Sequence, residues 1–133
     1  MIGGWVKLYA GQHDAAAESF ARAMRLSPLD PLFFGMLTGT ALSHFFSHRF
    51  DEAVRWARLA IAEKSEFVDP YRALAAASAH LGHDKEARFA MAQLLERYPH
   101  FTLSRARALM PYGRREDVEL LLEGYRKAGL PEE

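Results

Sequence analysis

Six histidines are the residues whose type and spacing come closest to metal chemistry. His44 and His48 stand four apart, so on a helix both rings would share one face, and His80 and His83 stand three apart. His13, His48 and His83 fall in three turns that occupy equivalent places along the chain. No acid completes a His-Glu-x-x-His pattern, and the sequence has no cysteine, which removes thiolate zinc sites, iron–sulfur clusters, disulfides and cysteine nucleophiles together. The expectation is therefore solvated turn histidines and a packed His44, with no metal, adding positive charge below pH ~6.5. Glu116, Asp117 and Glu119 look like a carboxylate cluster but open a helix, where negative charge complements the macrodipole. Gly3-Gly4 and Gly35-x3-Gly39 are followed by no Gly-Lys-Ser/Thr, and Ser78 and Ser104 sit in no nucleophile elbow. These residues predict no catalytic group, no cofactor and no enzyme.

What positions them is a chain of 133 residues, one domain's worth, with half its residues hydrophobic and 12% aromatic. Lys+Arg and Asp+Glu are 17 each, a balance that argues against nucleic acid and against an anionic membrane surface as partners. The start of the chain reads as neither a signal peptide nor a myristoylation site. The most apolar stretch, 31–46, contains His44 and several Gly, Thr and Ser residues and falls short of a membrane span. A soluble, cytoplasmic protein is expected.

Three segments superimpose. Gly11-Gln12-His13-Asp14-Ala15-Ala16, His48-Arg49-Phe50-Asp51-Glu52-Ala53 and Gly82-His83-Asp84-Lys85-Glu86-Ala87 each begin with a turn and lead to a small residue, then to Pro28, Ser65 or Pro99. Turn, alanine and terminator all recur at intervals of 37 and then 34 residues. Asp30-Pro31 and Asp69-Pro70 read as N-cap and first helical residue, Asp14, Asp51 and Asp84 as caps of the following helices, and Gly11 and Gly82 as left-handed C-caps. The spacing predicts helices near 2–10, 14–26, 31–46, 52–63, 70–81 and 85–97, then 102–109 and 115–127, with no strand. The fold class is all-α in a single domain, with repeats about 1–29, 30–66 and 67–100 and capping helices in 101–133.

Ala16-x3-Phe20 with Pro28, its weaker counterparts Ala53-x3-Ala57 with Ser65 and Ala87-x3-Met91 with Pro99, and the preceding Leu37-x2-Thr40-Ala41-x2-His44 and Tyr71-x2-Leu74-Ala75-x2-Ser78 resemble the tetratricopeptide (TPR) family. Leu26-Ser27-Pro28-Leu29-Asp30-Pro31, Ala41-Leu42-Ser43-His44-Phe45-Phe46, Tyr112-Gly113-Arg114-Arg115-Glu116-Asp117 and Gly124-Tyr125-Arg126-Lys127-Ala128-Gly129-Leu130-Pro131 look more narrowly like the C-terminal TPR region of bacterial class III adenylate/guanylate cyclases and related multidomain regulators. No cyclase catalytic or metal residue carries over. The resemblance implies a right-handed helical-hairpin solenoid that serves as a regulatory or scaffolding segment.

It also implies a concave groove lined by the first helix of each repeat: Thr38, Leu42, Phe45 and Phe46 from the second, and Asp69, Arg72, Ala76 and His80 from the third, with Trp5 and Tyr9 from the first. The set that clamps a terminal carboxylate in chaperone-binding TPRs is missing, so an amphipathic helix or extended apolar peptide fits better, with Arg72 able to fork a carboxylate. In TPR register Met1 falls inside the first helix, so Trp5, Leu8 and Tyr9 have no preceding repeat over them. A piece of a longer protein, or a homodimer paired through that edge or through the groove, is the alternative expectation.

Overall fold

Backbone conformation marks the repeat. In the computed structural model, which describes residues 2–133 (Ile2 as backbone only), Gly11, His48 and Gly82 adopt positive φ of 84°, 63° and 80°. Each is the second residue of a three-residue turn between two helices, and each turn is closed by the same bonds. The Gly11, His48 and Gly82 N–H groups donate to the carbonyls of Leu8, Phe45 and Ala79, and the next N–H groups donate to Lys7, His44 and Ser78. These are the Schellman bonds that satisfy a helix's last carbonyls. The expectation that Met1 lies within the first helix falls outside the described residues.

Eight helices and no strand make up the described chain: α1 (Ile2–Tyr9), α2 (His13–Leu26), α3 (Phe33–Phe46), α4 (Phe50–Glu63), α5 (Asp69–His80), α6 (Asp84–Arg97), α7 (Leu103–Leu109) and α8 (Arg115–Lys127). Every boundary lies within two residues of the expected one. The capping assignments need correction. Asp14, Asp51 and Asp84 lie inside the first turn, and the N-cap residues Gln12, Arg49 and His83 make no side-chain cap bond. The acids there still face the positive helix end. Asp69 is likewise the first residue of α5 itself, while Asp30 Oδ1 accepts from the Leu32 N–H at 2.8 Å in a turn ahead of α3.

Consecutive helices pack on one another from α1 to α6, and the odd-numbered helices also touch, α1 on α3 and α3 on α5. Ala16, Ala53 and Ala87, the repeated small residues, are buried, as close helix approach requires. Phe20 fills the first hairpin. Its ring occupies the space where a Cβ on Gly4 or Gly39 would stand, so those glycines make room for it. Gly35 has open space beside it instead. α3 is buried nearly all round, and its Thr38, Thr40 and Ser43 hydroxyls donate to the carbonyls four residues earlier, so the apolar stretch carries them without orphaned polar groups. No described helix is long and apolar enough to cross a membrane.

α8 packs on α5, where Gly124 lets the backbones meet: an added Cβ would stand 2.7 Å from that of Ala76. Tyr125 and Leu122 are buried there. The segment then reaches back to the beginning of the chain. The Gly113 N–H donates to the Tyr9 carbonyl at 2.8 Å, and Asp117 Oδ2 lies 2.8 Å from His13 Nε2 across 104 residues.

Candidate functional site: a groove between the odd helices and the C-terminal arm

Residues three or four apart on a helix share a face, and that rule builds one side of a groove. α1 contributes Trp5 and Tyr9, α3 contributes Thr38 and Leu42, and the first turn of α5 contributes Asp69 and Arg72. Their side chains line a single space of about 720 Å³. The remaining lining comes from 97–112, including Arg97, Tyr98, Phe101, Arg105, Leu109 and Tyr112, and from Leu121 and Tyr125 of α8.

Aromatic contacts fix the shape. The Trp5 ring meets Phe20 edge-on at 5.3 Å and tilts against Tyr9 at 5.9 Å, and Tyr9 in turn meets Tyr112 at 5.6 Å. Tyr112 also meets Phe46 at 4.7 Å, which links α1, α3 and the C-terminal arm, residues 101–133, through one ring. Arg72 spreads its guanidinium over Phe101 at 5.1 Å and Tyr98 at 5.6 Å, the geometry of cation–π attraction. Its Nε also approaches Asp69 Oδ1 at 3.5 Å.

Within the groove the perturbed groups are Arg72 and three tyrosines. Burial opposes the charge on Arg72, but Tyr125 and Asp69 outweigh it and raise the guanidinium's pKa. Burial raises the phenols of Tyr9, Tyr112 and Tyr125, with Asp69 adding to the first. Each shift moves its group further from neutrality, the opposite of what proton transfer at pH 7 needs.

The residues assigned to the groove divide. Thr38, Leu42, Asp69 and Arg72 line it together, joined by Trp5 and Tyr9. Phe45 and Phe46 fall outside that lining: Phe45 tilts against Phe50, and Phe46 stacks on His13 and meets Tyr112 edge-on. Ala76 lies beneath Gly124, and His80 Nε2 is 2.9 Å from the Leu120 carbonyl, so α8 covers the part of the concave face that both were to supply. Leu8 is fully buried, whereas Trp5 and Tyr9 are half-buried and line the groove.

The histidines separate as well. His13 bonds Asp117, His44 Nδ1 accepts from Arg49 Nε at 2.8 Å, and His48 and His83 are exposed in their turns. They do not occupy matching positions: His48 is the left-handed turn residue, His83 the N-cap and His13 the first residue of its helix. Sequence reasoning missed Tyr98, Phe101, Arg105 and Tyr112 as lining residues. Tyr112 lies beside Gly113, whose N–H donates to the Tyr9 carbonyl at 2.8 Å, and no short sequence pattern marks that long-range bond. Compared with known proteins, the chain matches no protein family, no curated protein and no solved structure.

Proposed function

We propose that this chain is a non-catalytic interaction module: a TPR-type solenoid of three helical hairpins that receives a segment of another protein in its groove. One observation carries the reading. Six residues from three helices far apart in sequence, Trp5, Tyr9, Thr38, Leu42, Asp69 and Arg72, converge on one groove of about 720 Å³. That space suits a few apolar side chains, and its lining of aromatic and aliphatic groups with sparse polar ones is the usual make-up of a binding cleft. The repeated Schellman turns and the order of helix packing support the solenoid. A cytoplasmic setting and a regulatory place within a cyclase-like multidomain protein rest on composition and on the sequence resemblance.

Pairing of two copies, through the groove or through the N-terminal edge at Trp5 and Tyr9, remains the competing reading. Light scattering in line with size exclusion, on the intact chain and on Trp5→Glu, separates the two. A monomer in both leaves the groove free for a partner. A dimer that the substitution splits gives the Trp5 surface to a second copy and overturns the proposal.

A further inference from the structure

Charge is distributed unevenly over this chain. Acids and bases balance overall at 17 each, yet the groove is lined by Arg72, Arg97 and Arg105 against a single carboxylate, Asp69. Their pairing differs from that of the arginines nearby. Arg107, two residues beyond Arg105, bonds Glu119 at 2.6 Å, and on α8 Arg126 bonds Glu123 at 2.7 Å. Among the described residues Arg105 and Arg97 have no carboxylate within ion-pair distance, and the one bond that Arg97 makes is to the Glu66 carbonyl. Arg72 lies over the Phe101 and Tyr98 rings while its single carboxylate contact is long, at 3.5 Å. A guanidinium already restrained by two rings loses less entropy when it donates to a second carboxylate.

Resting on the interaction-module reading, we infer that the groove's partner is an anionic apolar peptide: a segment of another protein whose aromatic or aliphatic side chains enter beside Trp5 and Tyr9 while its Asp or Glu residues meet Arg105, Arg97 and Arg72. The apolar lining selects the side chains and the arginine excess selects the charge. Long side chains at the rim set specificity and approach, and Arg72 inside, restrained by two rings, sets register.

The test is to select displayed random peptides on the intact chain and then to measure selected peptides by fluorescence anisotropy at low and high salt. Enriched peptides that combine Asp or Glu with aromatic or aliphatic residues are expected. Their affinity should fall about tenfold on Arg105→Glu, an exposed site whose change leaves folding intact, and should also fall as salt rises. Arg107→Glu, outside the groove, should change little. Enriched peptides that are neutral or basic, or that bind Arg105→Glu as well as the parent, would overturn the charge inference and leave the groove reading standing. Enrichment of nothing, or of peptides whose binding survives Trp5→Glu in the groove itself, would overturn both. Uptake of a fatty acid anion in place of any peptide would also overturn the inference, because the same chemistry would then serve a lipid.

Discussion

Residues 2–100 and residues 101–133 are held in place by contacts of different reach. In the first region each helix meets its neighbours in sequence, and the turns are closed by bonds spanning three to five residues, repeated three times. In the second, the bonds that fix the arm run to Tyr9, His13 and His80, from Gly113, Asp117 and Leu120. Local bonds can form as soon as their helix does, whereas the arm needs the repeats already assembled beneath it. The groove lies at the junction of the two kinds of structure and so depends on both.

The strongest way to break that contrast is to empty one buried ring from each region. Phe20→Ala leaves a cavity inside the first hairpin, and Tyr125→Ala leaves one between α8 and α5. Each should cost about 3–5 kcal/mol, the usual range for deleting a buried aromatic ring. Urea unfolding, followed both by helix content and by Trp5 fluorescence in a Trp56→Phe background, should give coincident transitions for both variants. If Tyr125→Ala instead separates the two signals, the arm is an independent unit and the groove opens without unfolding of the repeats.

A smaller effect sharpens the account of the repeats themselves. The three turns share one conformation, but His48 adopts it with a side chain where Gly11 and Gly82 do not. An L-residue in the left-handed region is strained by its Cβ. His48→Gly should therefore stabilise by about 0.5–1 kcal/mol, and Gly82→Ala, where open space leaves only the backbone term, should destabilise by about 1 kcal/mol. Opposite shifts in the urea midpoint are expected, and shifts of the same sign would mean that the turns are not equivalent.

The same difference in reach explains what could be read from the residues. Helix boundaries and the three turns follow from short patterns, Gly11-Gln12-His13-Asp14 and its counterparts, because the bonds they imply stay within a few residues. The convergence of Leu42 and Arg72 is what the TPR resemblance implies, and both line the groove. The burial of Leu8, the covering of Ala76 by Gly124 and the entry of Tyr112 between Tyr9 and Phe46 do not, because each depends on where the arm lands. Its helix is amphipathic, which says that one face is buried and not against what. Capping went astray for a related reason: an aspartate one residue inside a helix and one at its edge favour the same helix end, so composition alone does not separate them.

The smallest expected effect is in pH, and it distinguishes the joint between the two regions from the interior of the repeats by a single ring each. His80 stacks on Phe50 at 4.9 Å with Nε2 directed at the Leu120 carbonyl, at the joint between α5 and α8. Burial lowers its pKa, Lys127 adds to this, and the Leu120 carbonyl only partly opposes. His44, within the repeats, is lowered by burial first and then by Arg49. A folded state that holds imidazole neutral gives up stability when the unfolded chain can take the proton. That contribution is complete above the unfolded value near 6.5 and is lost as pH falls through 6.5 toward the lower folded value. Urea midpoints should therefore decline from neutral to mildly acidic pH. His80→Gln keeps a donor for Leu120 and should flatten part of the decline, and His44→Gln should flatten another part. If His80→Gln leaves the slope unchanged while His44→Gln removes it, the arm's joint does not sense pH and the sensitivity belongs to the repeats alone.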